Sequence, residues 1–132
     1  MNILQCSHCQ DIAIDLFQHT HSKYCCGEAM AVLAPNCYPE FQDEHAIQVR
    51  KIGHFVTVTI GKEAHPMVDI HRIAWVLLET NQGFQFKTLK AGDQPIVDFL
   101  VDDEQEDVLN VYAYCTAHAL WSYNKAIEGL DR

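Results

Sequence analysis

A cysteine and a histidine near the C-terminus are spaced so that both could bind one metal ion. Cys115 and His118 are separated by two residues, and His45, His65 and His71 lie upstream as candidate partners. A structural zinc site closes with four ligands, so these five donors would overfill it. One sulfur with several nitrogens suits iron or copper with an open position for chemistry. This donor set therefore predicts a reactive metal centre.

A second candidate metal site lies near the N-terminus. Cys6 and Cys9 form a Cys-x2-Cys pair, and Cys25 and Cys26 follow as neighbours. Four sulfurs indicate a tetrahedral zinc or iron site, and their spacing leaves both metals open. Adjacent cysteines that share a metal should strain the backbone, which Gly27 can relieve by turning the chain. Two disulfides, or four unrelated thiols, are the alternative.

Composition and charge limit the classes of protein to which this chain can belong. It has 132 residues, 48% of them hydrophobic, enough for one ordinary domain or a small domain joined to a larger one. The net charge of −9 disfavours binding to nucleic acid or to anionic membranes. We find neither a secretory signal pattern nor an apolar run that could span a bilayer, so we expect a cytoplasmic protein with reduced thiols. There, six cysteines favour metal binding over disulfides.

A proline-containing linker at residues 34–39 predicts two domains, residues 1–37 and residues 38–132. The first has few apolar residues and one short predicted strand at residues 12–16, so metal binding should supply much of its folding free energy. Cys37 has no nearby ligand partner, and we predict a free or partly buried thiol there. We expect three histidines of the first domain to be exposed to solvent: His8, His19 and His21.

The second domain shows strand patterns throughout. Alternating or β-branched segments occupy residues 54–60, 70–78, 83–89, 95–101 and 108–114, separated by glycines and polar residues. From residue 42 onward, with a further strand after His45, the pattern amounts to about six or seven short strands and predicts an antiparallel sandwich or barrel. We interpret the acidic run 102–107 as a solvated hairpin loop and residues 124–132 as a frayed helical turn. The candidate histidine and cysteine ligands fall at strand ends or in loops, where sites usually form; His54, at a strand start without a partner, is excluded.

Four motifs resemble the desulfoferrodoxin family, the two-iron form of superoxide reductase, and together they cover nearly the whole chain. Cys6-x2-Cys9-x15-Cys25-Cys26-Gly27 resembles its desulforedoxin module, and Leu89-Lys90-x-Gly92-Asp93-x-Pro95 resembles a characteristic turn. His65-Pro66-Met67-x3-His71-x-Ile73-x-Trp75 and Tyr112-x-Tyr114-Cys115-x2-His118-x2-Trp121 resemble its two ligand motifs.

The resemblance implies a mainly β protein in which a small desulforedoxin-like metal module precedes an immunoglobulin-like antiparallel β-sandwich or barrel. It implies two irons per chain, one of them in an Fe(Cys)4 centre. The other would be bound by equatorial His45, His65, His71 and His118 with Cys115 axial. The implied activity is superoxide reduction to hydrogen peroxide at the open sixth position, which detoxifies superoxide. A homodimer and a rubredoxin-like electron donor are implied as well.

Three positions depart from the family's pattern. Asp43 stands at the position of a glutamate that can cap the oxidised iron, and it is one methylene shorter. Glu44 stands at the position of a lysine thought to attract superoxide, so another cation, Lys62 or Arg72, should compensate. Ala119 replaces a glycine and should be tolerated unless its loop requires a positive φ.

Two other interpretations fit part of the pattern. A non-catalytic iron electron carrier would shuttle charge through both sites, with the open position blocked by Asp43 or Glu44. A regulatory or storage module would hold zinc in the cysteine site. The absent lysine favours the electron carrier, and an optical spectrum separates iron from zinc in the cysteine site.

Overall fold

The computed structural model describes residues 1–18 and 21–123, which form two compact units. The first unit spans Met1–Ala34 and the second begins at Pro35. The boundary predicted between residues 37 and 38 stays a prediction. The exposure predicted for His19 and the helical turn predicted for residues 124–132 lie outside the described residues.

The first unit is built from short antiparallel strands that pair through tight turns. Its larger sheet has the order β2-β1-β5, and a two-stranded hairpin joins β3 and β4. Ile3 and Leu4 are its main buried apolar residues, so the hydrophobic core is small, as the sequence predicts. The strands are β1 (Asn2–Gln5), β2 (Ile12–Asp15), β3 (Tyr24–Cys25), β4 (Glu28–Ala29) and β5 (Ala31–Val32).

The second unit begins with two short 3-10 helices, followed by strands that form two antiparallel sheets. The helices are η1 (Pro39–Phe41) and η2 (Asp43–His45). One sheet has three strands in the order β10-β7-β6, and the other has four in the order β12-β11-β8-β9. The strands are β6 (Ile47–Ile52), β7 (Phe55–Ile60), β8 (Ile73–Thr80), β9 (Gly83–Thr88), β10 (Ile96–Leu100), β11 (Val108–Cys115) and β12 (Ala119–Ser122).

The hydrophobic core of the second unit lies between these two sheets. β7 shows the expected alternation, since Val56, Val58 and Ile60 are buried while the residues between them are more exposed. Side chains from the other sheet, such as Val111 and Ala113, complete the same core. The arrangement is an antiparallel sandwich, which confirms the predicted mainly β fold.

The structure corrects several details of the predicted strands. The acidic run at 102–107 is exposed but is not a hairpin loop, because β10 and β11 belong to different sheets. The strand predicted from residue 70 begins only at Ile73, so His71 does not open it and instead forms an isolated bridge with Val68. β12 was not predicted, because its four residues are too short to show a period. His54, which was excluded as a ligand, is exposed.

No helix within the described residues is long and apolar enough to cross a membrane.

Candidate metal centres

The four N-terminal cysteines meet at one point between two hairpin turns. Cys6, Cys9, Cys25 and Cys26 place their sulfurs within 4.8 Å of one another. The Cys9 and Cys25 sulfurs are 3.6 Å apart, and those of Cys25 and Cys26 are 3.9 Å apart. Metal–sulfur bonds of about 2.3 Å in a tetrahedron require sulfur–sulfur distances of about 3.8 Å. The spacing therefore fits one tetrahedral metal ion, and none of the six cysteines, all described, forms a disulfide.

The backbone around the cysteine cluster shows the strain that its adjacent pair predicts. Cys26 has a φ of +52°, a left-handed conformation that a residue with a Cβ rarely adopts. Gly27 follows with a φ of +79°, which only glycine adopts at no steric cost. The Cys26–Gly27 turn between β3 and β4 thus directs two adjacent side chains toward the cluster.

The pKa values of the clustered cysteine thiols also indicate a bound cation. Backbone N–H groups of Cys9 and His8 lower the pKa of Cys6 to about 6, and the His8 nitrogen lies 3.4 Å from its sulfur. The neighbouring thiols of Cys9 and Cys6 raise the pKa of Cys25 to about 12. Four sulfurs this close cannot all ionise beside one another unless a positive ion offsets their charge. His8 and His21 are exposed, as predicted.

The second cluster forms at one end of the sandwich, where η2 meets the loop after β7. The Gly61 N–H donates to the Ala46 carbonyl at 2.8 Å, and the Lys62 N–H donates to the Asp43 carbonyl at 3.0 Å. Gly61 has a φ of +95°, and a Cβ there would overlap the Glu63 carbonyl oxygen. Glycine is therefore required for this loop to pack on η2.

The imidazoles of His45 and His65 face each other through their Nε2 atoms. His45 Nδ1 lies 2.8 Å from the Phe41 carbonyl oxygen, and His65 Nδ1 lies 2.7 Å from that of Pro66. Because a carbonyl only accepts, each Nδ1 carries the proton and each Nε2 keeps its lone pair. The two Nε2 atoms are 3.1 Å apart in buried surroundings. Two facing lone pairs need a cation between them, and a ligand histidine has this arrangement.

Cys115 and His118 lie at either side of the turn between β11 and β12. The Cys115 sulfur is fully buried and lies 3.9 Å from His118 Nδ1. Burial raises the pKa of the Cys115 thiol, so a positive ion is needed to hold it as a thiolate at neutral pH. Ile73 and Ala74 form a bulge opposite the Tyr114–Cys115 step, where the β8–β11 register shifts.

All five residues predicted for the second site fall into two overlapping groups. The ligand atoms of His45, His71, Cys115 and His118 lie within 4.8 Å of one another. A second group within the same limit contains Glu44, His45, His65 and His71. His71 Nε2 is buried and forms no hydrogen bond to any described residue. The polar group closest to it is the Glu44 carboxylate, whose oxygen lies 3.4 Å away. An imidazole nitrogen without a hydrogen bond, among three other imidazoles and a buried sulfur, fits a metal ion, and this mixed donor set suits iron.

Asp43 and Glu44 occupy different environments. The Glu44 carboxylate lies 3.4 Å from His71 Nε2 and 3.8 Å from His65 Nε2. The Asp43 carboxylate is 77% exposed and lies 3.3 Å from Lys62 Nζ. Asp43, Glu44 and Lys62 line one surface cleft. The carboxylate at the histidine cluster is therefore that of Glu44.

Two aromatic residues that the sequence analysis gave no role pack against these histidines. The Trp121 ring stacks on His45, with centroids 4.3 Å apart. The Phe41 ring stacks on His118, with centroids 4.1 Å apart. Trp121 belongs to the C-terminal motif, so its place near the ligands could have been predicted from the sequence. Nothing in the sequence distinguishes Phe41 from other core residues.

Comparison with known proteins gives relatives over nearly the full chain. The sequence model of the Desulfoferrodoxin family matches residues 40–124. A desulfoferrodoxin homolog from Archaeoglobus fulgidus is 30% identical over 121 residues, covering 92% of this chain and 94% of that protein. The desulfoferrodoxin of Nitratidesulfovibrio vulgaris is 30% identical over 119 residues, covering 90% and 92%. This chain belongs to the desulfoferrodoxin family.

The fold has a solved counterpart of nearly the same length. The crystal structure of the superoxide reductase from Treponema pallidum aligns with a TM-score of 0.79 at 28% sequence identity, covering 93% of this chain and 96% of that one. The match includes both units, and the resemblance stated from the motifs is thereby confirmed at the level of family and fold.

Proposed function

We propose that this protein is a superoxide reductase that converts superoxide to hydrogen peroxide at an iron centre. The observation that carries the proposal is the convergence of a buried thiol, Cys115, with the imidazoles of His45, His71 and His118. Membership of the desulfoferrodoxin family supports it. The full-length similarity to the Treponema pallidum superoxide reductase supports it too.

Two irons per chain are proposed. Cys6, Cys9, Cys25 and Cys26 would hold the first. His45, His65, His71, His118 and Cys115 would hold the second, which supplies one electron to superoxide when bound.

The residues around the second site would fix its ligands and exclude water from one side. Carbonyls of Phe41 and Pro66 fix the tautomers of His45 and His65, so both Nε2 atoms stay available. Cys115 lies on the buried side, where low polarity strengthens the interaction of its thiolate with a cation. Glu44 is 33% exposed and His71 is 26% exposed, so solvent reaches the cluster at these two residues. Superoxide and the two protons that it needs would arrive there from solvent.

We propose that Glu44, and not Asp43, is the carboxylate that controls access to the open position. Its oxygen is the anionic group beside His71 and His65, where it repels superoxide and competes with it. Lys62 would supply the compensating positive charge at the mouth of the cleft, held there by Asp43. The Arg72 side chain instead donates to the Asp69 carbonyl at 2.7 Å, so it is the weaker candidate.

The position of Glu44 also favours the second candidate function. A carboxylate that occupies the open position permanently would leave a non-catalytic iron electron carrier. In either case we propose a cytoplasmic homodimer that receives electrons from a rubredoxin-like donor. The net charge of −9 is consistent with a protein that binds neither nucleic acid nor membrane.

Iron analysis combined with superoxide consumption by the pre-reduced protein tests the proposal. We expect two irons per chain and rapid, stoichiometric consumption of superoxide. Cys115→Ser should remove the thiolate charge-transfer band and most of the activity while the circular dichroism of the β fold persists. Full iron content without superoxide consumption in the wild type would favour the electron carrier, and full activity in Cys115→Ser would refute the ligand assignment.

A further inference from the structure

A stacked tryptophan and tyrosine lie on the four-stranded sheet beside the second metal centre. The rings of Trp75 on β8 and Tyr114 on β11 have centroids 5.5 Å apart and planes 11° apart. Phe86 on β9 extends the stack, with its centroid 5.1 Å from that of Trp75. Trp75 is 6% exposed and Phe86 is 36% exposed. The stack therefore runs from a nearly buried indole to the protein surface.

This aromatic pair is adjacent to the proposed thiolate ligand in both the chain and the sheet. Trp75 and Tyr114 are direct cross-strand partners, and Cys115 is the next residue after Tyr114. Cys115 belongs to the core between the sheets, so Tyr114 lies on the opposite face of the same strand. Tyr114 is half-buried, whereas Cys115 is fully buried. An oxidisable pair thus lies on the outer face of the sheet, and one of its members directly precedes Cys115 in the chain.

We propose that Trp75 and Tyr114 act together as a redox sink that protects Cys115 from one-electron oxidants formed from hydrogen peroxide. This protective role rests on the proposed function, because hydrogen peroxide is the product of superoxide reduction. Aromatic contact at this distance is also ordinary core packing. A redox sink is distinguished from ordinary core packing by the transfer of an unpaired electron between the two rings.

The proposed sequence has three balanced steps. An oxidant takes one electron from the Trp75 indole, whose N–H proton passes to solvent, and a neutral indolyl radical remains. The Tyr114 phenol then gives one electron to that radical and releases its proton, while the indole regains a proton, so the unpaired electron now resides on the phenol oxygen. A soluble thiol finally supplies the hydrogen atom that restores the phenol, and the thiol becomes oxidised. The radical moves from the Trp75 indole to the Tyr114 phenol because a phenol is oxidised more easily than an indole at neutral pH.

The other tryptophan provides a matched comparison inside the same protein. Trp121 also lies beside the metal centre, stacked on His45. Its Nε1 is buried and forms no hydrogen bond to any described residue, so its proton has no acceptor in that part of the chain when an electron leaves. A stacked position near the metal centre is therefore not sufficient for a tryptophan to act as the electron donor of the sink. We do not expect Trp121 to take over this role from Trp75.

Pulse radiolysis of the oxidised holoprotein tests the transfer, with azide radicals as the probe that oxidises tryptophan. In the wild type we expect indolyl absorption to decay as phenoxyl absorption grows, at a rate independent of protein concentration. Tyr114→Phe and Trp75→Phe should lose this phase, whereas Tyr112→Phe and Trp121→Phe should keep it. Tyr114→Phe removes a single oxygen atom, so its circular dichroism and visible bands should match the wild type.

The redox-sink proposal would be refuted if Tyr114→Phe showed the same intramolecular phase as the wild type. A second measurement treats the reduced holoprotein with hydrogen peroxide and maps oxidised residues by mass spectrometry. Tyr114→Phe should accumulate more oxidised Cys115 than the wild type or Tyr112→Phe, and equal Cys115 oxidation in all three would also refute the proposal. Superoxide consumption is measured in parallel; its absence with intact radical transfer would refute the proposed function and not the transfer.

Discussion

The indole of Trp121 lies flat on the imidazole of His45, with ring centroids 4.3 Å apart and planes 2° apart. Trp121 belongs to β12, and His45 ends η2. The stack fixes the tilt of the imidazole, while the Phe41 carbonyl fixes its rotation through Nδ1. One residue of the unpredicted strand thus orients a candidate metal ligand from a distant part of the chain.

Trp121→Ala should weaken both the fold and the metal centre. Loss of a buried tryptophan side chain should cost about 3–5 kcal/mol of unfolding free energy. Loss of the support for His45 should lower the metal affinity of the second centre by about 10–100-fold. Trp121→Phe keeps a stacked ring and should lose less of both. Urea unfolding and metal titration of chelator-treated protein measure the two effects, and an unchanged metal affinity in Trp121→Ala would contradict the orienting role.

Stability of the chelator-treated protein should fall as the pH drops from about 6.5 to about 4. Burial lowers the pKa of His45 to about 4 and also lowers the pKa of His65. Between these pH values the unfolded chain binds more protons than the folded one, so unfolding becomes easier as the pH falls. His45 alone should contribute about 3 kcal/mol at most. Urea unfolding at several pH values checks this, and His45→Gln should show a shallower slope.

Cys9→Ser should remove metal from the first unit and leave the second centre intact. The cysteine sulfurs all come from Met1–Ala34, and the groups around His45 all come from the second unit. The first unit has a small hydrophobic core, so it should lose ordered structure with its metal. The visible bands of the two centres and iron analysis report the outcome. Loss of metal from both centres would contradict their independence.

Ala119→Gly should stabilise the turn between Cys115 and β12. Ala119 has a φ of +63°, so the loop does require the conformation that glycine favours. A left-handed residue with a Cβ costs roughly 1–2 kcal/mol. The extra backbone entropy of glycine offsets roughly 0.5–1 kcal/mol of that gain. Thermal or urea unfolding should show a net gain of about 0.5–1 kcal/mol, whereas Ala113→Gly, in a regular part of β11, should destabilise.

Glu44→Lys should accelerate the reaction of the reduced protein with superoxide, and Glu44→Gln should do so less. The Glu44 carboxylate contacts His71 and His65, where a positive charge would attract the anionic substrate and raise encounter rates by roughly ten to a thousandfold. Added salt should reduce the gain. Glu63→Gln changes the same charge in the same cleft and serves as the control. Equal rates in Glu44→Lys and wild type at low salt would show that residue 44 does not face the open position.

The sequence by itself determined which chemistry to expect and which fold to look for. Cysteine spacing indicated a four-sulfur site, and the alternation at residues 54–60 indicated a buried strand, because both signals depend on neighbours in the chain. The left-handed Cys26 was foreseeable for the same reason, since two adjacent side chains can share one metal only if the backbone turns sharply.

Tertiary structure decided how distant residues meet. Asp43 and Glu44 are neighbours with the same charge, and sequence could not tell which of them faces His71, because that depends on how η2 packs on the Gly61 loop. Trp121 and Phe41 support histidines on other elements, and Trp75 meets Tyr114 only through the register of β8 and β11. Ligand identity follows from side-chain chemistry, but access and orientation follow from packing between elements that the chain separates by tens of residues.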